Sequence, residues 1–132
     1  MITRITSAKV REAAQLLQDR GELGKGDFIV SMTSAPAKDT YCMLGAISVA
    51  KKPNISIEDE FDFKLGVESK FYKAVKQAFS EYFSNRDFAQ NRFSINDYDI
   101  VDAIGTFNDR PDTTLTMAVN KLNEIADLMD AL

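Results

Sequence analysis

The sequence contains no histidine, no tryptophan and only one cysteine among its 132 residues. Without histidine, the chain cannot use Ser-His-Asp or Cys-His catalysis, bind zinc through imidazole or move protons with it. Cys42 has no second thiol in the chain with which to form a disulfide, and this favours a reducing compartment. These absences exclude histidine-dependent enzymes and histidine-ligated metal sites.

Long apolar runs and an excess of positive charge are also missing. No stretch approaches the ~20 apolar residues of a membrane helix, and residues 1–5 lack the features of a signal peptide. The net charge is −4, whereas a protein that binds duplex nucleic acid needs clustered lysine and arginine. We therefore expect a cytoplasmic protein that contacts neither a membrane nor duplex nucleic acid.

The amino-acid composition is that of a folded protein. Hydrophobic residues make up 45% of the sequence and charged residues 27%, which is too apolar for a disordered protein. The length matches one domain, and no linker or internal repeat divides the chain. These features predict a single globular domain over residues 1–132.

Helical periodicity dominates this domain. The spacing of apolar residues predicts about five helices, over 7–20, 42–52, 67–84, 97–105 and from 111 onward, with Gly21 as a left-handed stop after the first. Residues 27–32 and 40–41 are aromatic and β-branched and favour two short strands. The predicted fold class is therefore α+β: mainly helical, with a short two-stranded β element near residues 27–41.

Cys42 lies where the second helix is expected to begin. The helix dipole there would lower the pKa of a thiol and favour the reactive thiolate. The apolar neighbours of Cys42 instead favour a buried thiol that behaves as a small hydrophobe. Gly45 lies inside the same apolar helix, where it would permit close contact with another backbone.

Residues 106–114 form the most unusual local sequence, with several side chains that can bind backbone N–H groups. They predict an elaborate helix start, with Asp109 or Asp112 as the N-cap and Pro111 in the first turn. The alternative is an anion site, because Arg110 and Thr113 lie beside the N–H groups of that helix. Five aspartates lie between residues 97 and 112 without a calcium-loop motif, so we expect no metal and no cofactor.

An acidic and aromatic segment precedes the third helix. It holds four carboxylates and two phenylalanines in six residues: Glu58, Asp59, Glu60, Phe61, Asp62 and Phe63. Exposed aromatic residues among acids are typical of a surface that binds a basic partner. Simple burial of the two rings in the core is the alternative.

Two motifs carry a resemblance to a known family. They are Cys-x-Leu-Gly-Ala-Ile at 42–47 and an aromatic-Asn-Asp-x-Pro-x-Thr segment at 107–113, where relatives carry tryptophan in place of Phe107. With the N-terminal helix, they resemble small uncharacterised proteins of phages and bacteria, many of them actinobacterial. The resemblance implies no activity. It does imply that Asn108 or Asp109 ties the start of the last helix to backbone near Cys42.

Three functions fit these observations. The first is a non-catalytic phage or mobile-element accessory protein, acting in the host cytoplasm, that binds and inhibits a host protein with a basic surface. The second is a small-molecule binder that sequesters an anionic, nucleotide-type signal through arginine and aromatic side chains. The third, an enzyme using Cys42, is the least favoured because the chain has no histidine. Each of the three functions is compatible with a homo-oligomer.

Overall fold

In the computed structural model, the residues that the structure describes are 5–25, 41–51, 70–84 and 97–132. These ranges contain six helices and no strand. The helices are α1 (Ser7–Arg20), α2 (Met43–Lys51), α3 (Lys70–Ala78), α4 (Ser80–Ser84), α5 (Asp97–Asp109) and α6 (Leu115–Ala131).

The first two helices begin and end close to where the sequence predicts. The Thr6 side chain accepts a hydrogen bond from Lys9 N, and Gly21 ends α1 with a left-handed φ of 75°. Thr6 is a strong N-cap, and only glycine adopts that φ without strain. The apolar sequence of α2 is buried almost all round, as a helix without a polar face should be.

The core forms where α6 packs along α1 and α3. The long α6 buries one stripe of side chains, and α1 contributes its own apolar stripe from the opposite side. α2 packs against α1 and α5, and α5 also packs against α3. At the surface, Arg11 of α1 donates to Asp127 at 2.9 Å and to Asp130 at 2.7 Å, which joins α1 to the last turns of α6.

The predicted α+β fold class is wrong, because the described part of the chain is mainly helical and contains no strand or sheet. Residues 27–40, which carry nearly all of the predicted β element, lie outside the described residues. Tyr41 is buried, and its carbonyl accepts a hydrogen bond from Gly24 N at 2.8 Å directly before α2 begins. Tyr41 thus makes an isolated bridge with the segment after α1, and no strand or sheet extends from it within the described residues.

Three helix boundaries also differ from the prediction. Phe79 separates α3 from α4, where a single helix was expected. α5 continues four residues past Gly105, whose missing Cβ would lie 3.6 Å from Leu44 Cδ1 of α2. α6 begins later, with Thr114 as N-cap accepting from Met117 N at 3.2 Å. Gly105 therefore does not act as a helix stop, and α6 starts at a local N-cap that lies later in the sequence than predicted.

Candidate functional site

Asn108, in the last turn of α5, joins three segments of the chain. Its side chain is 1% exposed. Its Oδ1 accepts from Met43 N at 2.9 Å, and its Nδ2 donates to Gly24 O at 2.9 Å and to Asp109 Oδ1 at 3.0 Å. The tie between Asn108 and the backbone beside Cys42, which the family resemblance implies, is therefore present in the structure.

Lys25 caps the junction between α5 and α6. Its Nζ donates to the carbonyls of Asn108 at 2.9 Å, Arg110 at 2.6 Å and Thr113 at 2.9 Å. An ammonium at the C-terminal end of a helix satisfies carbonyls that have no partner inside the helix and complements the dipole. All three N–H groups of Lys25 are used in this way, so it acts as a structural cation.

Thr113 completes the junction. Its Oγ1 donates to Phe107 O at 2.7 Å, and its N–H donates to Arg110 O at 3.1 Å. Pro111 and Asp112 form the turn between these contacts, outside both helices. The expectation that Asp109 or Asp112 caps the last helix is wrong, because Thr114 occupies that position.

Cys42 is buried at the start of α2 with 5% of its surface exposed. Desolvation raises the pKa of its thiol from 9.0 to about 11, although Gly45 N donates to Sγ at 3.3 Å and opposes this shift. The thiolate, which is the nucleophilic form, is therefore disfavoured at neutral pH. Cys42 has the environment of a buried thiol, as one of the two sequence hypotheses states.

A pocket lies between α3, α4, α5 and α6. It encloses about 500 Å³. Its floor is aromatic: the Phe79 and Phe107 rings meet edge to face at 62°, with their centroids 5.5 Å apart. The polar side chains of the lining come from α4, α5, α6 and the turn after α5, and they include the carboxylate of Glu81. The lining residues that matter below are Phe79, Glu81, Phe107, Arg110 and Lys121.

Lys121 places a half-buried ammonium in this pocket. The Nζ lies 5.2 Å from the Phe79 ring centroid and 5.7 Å from that of Phe107, within the range of a cation–π interaction. It donates to Ala78 O at 3.1 Å and to Glu124 Oε1 at 3.2 Å. These contacts account for two of its three N–H groups, which leaves one for another acceptor.

Arg110 contributes a second cation to the lining of the pocket. Its Nε and Nη2 donate to the two carboxylate oxygens of Asp112 at 3.2 and 2.9 Å. Hydrogen bonding to Arg110 lowers the pKa of Asp112, so the carboxylate is charged. Both partners are more than half exposed, and water screens the attraction between charges in such an exposed pair, so the pair contributes little to stability. A second anion can therefore compete for Arg110.

No helix in the four described ranges has the length and apolar character needed to cross a membrane. Within the same residues, no three cysteine, aspartate or glutamate side chains come together in a way that could hold a metal ion.

Comparison with known proteins places the chain in a family. A sequence model of DUF6197, a family of unknown function, matches residues 1–128. The chain belongs to DUF6197. Searches of the curated proteins and of the solved structures return no match. The expected membership of an uncharacterised family is confirmed, whereas the two motifs and the phage and bacterial distribution stay predictions.

In this DUF6197 member, the predicted site residues fall into three groups. Phe107 and Arg110 line the pocket. A second group surrounds the junction of α5 with α2 and α6: Cys42, Gly45, Asn108, Asp109, Pro111 and Thr113. The third group, the acidic and aromatic segment Glu58, Asp59, Glu60, Phe61, Asp62 and Phe63, lies outside the described residues.

Sequence reasoning missed Lys121, the central cation of the pocket. A signal was available, because Lys121 lies three residues after Ala118 and four before Ile125, both fully buried on α6. Residues at these spacings share one face of a helix. A lysine on an otherwise apolar face indicates an ammonium held by partners from another element, which here are Ala78 O and two aromatic rings.

Proposed function

We propose that this protein is a non-catalytic binding protein that holds a small organic anion in the pocket between α3, α4, α5 and α6. The observation that carries the proposal is that Lys121 and Arg110 line one cavity with an aromatic floor. This is the small-molecule function predicted from the sequence, with Arg110 as one of its binding residues.

The size of the cavity supports a ligand larger than an inorganic ion. Its volume of about 500 Å³ lies within the roughly 300–1,000 Å³ of pockets that bind small organic molecules. Phe107 is partly exposed and offers apolar contact area to a flat group, while the buried Phe79 ring supports Phe107 edge to face. A nucleotide-type molecule combines the two features, a flat base and an anionic phosphate.

Two cations, Arg110 and Lys121, line the pocket with one carboxylate, Glu81, so the charge of the lining supports an anion even though each cation already contacts another carboxylate. Glu124 and Asp112 are 46% and 65% exposed, and contacts between such exposed charges are weak because water screens them. A phosphate or carboxylate inside the pocket is less hydrated and can receive the spare N–H of Lys121 together with the Arg110 fork. Such charge-assisted bonds are stronger than those between neutral groups.

The residues of the pocket also support binding without catalysis. Neither a thiol nor an imidazole is among its lining residues. The one thiol of the chain is buried beside Asn108, and burial raises its pKa to about 11. A nucleophile activated at neutral pH is therefore not available from Cys42.

Calorimetric titration and thermal unfolding with a small panel test the proposal. AMP, benzoate and inorganic phosphate supply the anion, and adenosine is the uncharged control for AMP. A ligand at 100 times its Kd is expected to stabilise the fold by ~2.7 kcal/mol. If none of the three anions binds, or if adenosine binds as well as AMP, the proposal is wrong.

A pair of matched variants assigns binding to the pocket. Lys121→Met keeps the aliphatic stem but removes the charge, and we expect it to weaken AMP binding by about tenfold or more, since a charged hydrogen bond contributes ~1.5–3 kcal/mol. Lys9→Met is the control, because Lys9 pairs with Glu12 at i,i+3 just as Lys121 pairs with Glu124. Equal loss of affinity in both variants would contradict a site at Lys121.

The other sequence hypothesis, an accessory protein that inhibits a basic host protein, has its own test. It depends on the net charge of −4 and on the four carboxylates between Glu58 and Asp62. Neutralising these four residues to their amides should abolish co-purification of one defined basic protein. AMP binding should not change in this variant if the two functions are separate.

A further inference from the structure

The pocket holds a negative charge as well as two positive ones. Among the described residues that line it, Glu81 of α4 is the only acid, and its side chain is exposed. Within the same part of the chain, Arg110 forms its ion pair with Asp112. Lys121 forms its own with Glu124. Neither cation of the pocket is therefore paired with Glu81.

The Glu81 carboxylate works against a ligand that is only an anion. The pocket encloses about 500 Å³, so a ligand inside it lies within about one Debye length, ~8–10 Å, of the lining charges. Salt then leaves part of each interaction unscreened, and like charges repel. Glu81 weakens the binding of a plain anion, whereas Arg110 and Lys121 strengthen it.

The same carboxylate favours a ligand that carries N–H groups. The two oxygens of a carboxylate offer about four acceptor positions, so Glu81 can receive an amine even beside another donor. A bond between an ammonium and a carboxylate is charge-assisted and stronger than a bond between neutral groups. Because Glu81 is exposed, water competes for it and the gain in affinity is modest.

We infer that the ligand of this pocket is an organic anion that also carries an amino or ammonium group, and that Glu81 binds this group. The inference rests on the proposed function, because it uses the same pocket. Arg110 and Lys121 bind the anionic end of the ligand, and the Phe107 ring contacts its flat part. In AMP, the amino group of adenine supplies the N–H donors.

Calorimetric titration with substituted benzoates tests the inference on the unsubstituted protein. The 3- and 4-(aminomethyl)benzoates carry an ammonium on the ring, and the corresponding methylbenzoates are uncharged at that position and similar in size. We expect at least one aminomethyl isomer to bind about three- to tenfold more tightly than its methyl counterpart, equivalent to ~0.7–1.4 kcal/mol.

Glu81→Gln assigns the effect to one side chain. This variant removes the charge at nearly constant size, so we expect it to weaken binding of the aminomethylbenzoate and to strengthen binding of the methylbenzoate. A change in the fold would instead move both affinities in the same direction. Glu12→Gln is the matched control, because Glu12 is an exposed helical glutamate of α1 outside the pocket lining, and both affinities should stay unchanged in it.

The outcomes separate this inference from the proposed function. If AMP and the methylbenzoates bind but the ammonium adds no affinity, the inference is overturned and the proposed function stands. If the preference for the ammonium persists in Glu81→Gln, or if both affinities fall together, Glu81 does not bind the amino group and the inference is wrong. If none of these anions binds, the proposed function falls together with the inference.

Discussion

Replacing Asn108 with alanine should cost more stability than any other single polar substitution at the junction of α5 with α2 and α6. The side chain is buried and satisfies two backbone groups from other segments, Met43 N–H and Gly24 C=O, each at 2.9 Å. Gly24 in turn donates to the carbonyl of Tyr41. The substitution therefore removes the contacts that join the end of α5 to Gly24, after α1, and to Met43, at the start of α2.

The magnitude follows from the groups left without a partner. A buried backbone donor or acceptor that loses its partner costs about 1–3 kcal/mol. Two such groups predict a loss of about 2–6 kcal/mol in the free energy of unfolding, and the loss lies in the upper part of this range if water cannot enter the space. Against a total stability of about 5–15 kcal/mol, this loss is large enough to threaten folding at physiological temperature.

Urea unfolding followed by circular dichroism measures the change. Asn120→Ala is the matched control, because Asn120 is exposed on α6, and its substitution should alter stability by no more than about 0.5 kcal/mol. A loss below ~1 kcal/mol for Asn108→Ala, with an unchanged m-value, would show that Asn108 does not join these segments in solution.

Three further predictions concern glycine, cysteine and lysine. Gly21→Ala should destabilise the fold by about 1–2 kcal/mol because Gly21 has a positive φ. Gly105→Ala should instead stabilise the fold by about 0.5–1 kcal/mol, since Gly105 lies in a helix and has room for a Cβ. Equal changes in the free energy of unfolding in urea would contradict both predictions. Because burial raises the pKa of Cys42 from 9.0 to about 11, the folded state keeps its proton longer than the unfolded state does. The stability that the protonated thiol contributes is present below pH 9 and is lost between pH 9 and about 11. Cys42→Ala should therefore lose less stability over this pH range than the unsubstituted protein. Identical plots of stability against pH for the two proteins would contradict the prediction. Lys25→Met should cost about 1–3 kcal/mol in the free energy of unfolding, because the three carbonyls that Lys25 contacts lose their partner. A loss no larger than that of Lys9→Met, which removes only a lysine paired with Glu12, would show that the cap is dispensable.

Helices whose ends are set by residues adjacent in the sequence were predicted well. Thr6 and Gly21 lie directly next to α1, and their effects act within one turn of the helix. The nearly all-apolar sequence of α2 predicts a buried helix wherever the rest of the chain lies. In these two cases the physical signal and the residue that carries it are adjacent in the sequence.

The start of α6 was harder, because several adjacent residues can each cap a helix. Asp109, Asp112, Thr113 and Thr114 all have suitable side chains. In the structure, Arg110 pairs with the carboxylate of Asp112, and Thr113 donates to the carbonyl of Phe107. Thr114 remains as the cap. Competition among partners decided the choice, and local propensity does not contain that information.

The sequence alone determined what chemistry is absent and where several helices form. A chain without histidine excludes imidazole catalysis in any fold, and periodicity and caps act over a few residues. Only the tertiary structure decided that Cys42 is buried, that Asn108 joins three segments, and that Lys121 reaches the aromatic pocket and the carbonyl of Ala78. These contacts link residues 43 to 84 positions apart. Partners so distant in sequence meet only through packing, whose energy belongs to the whole core rather than to any local pattern.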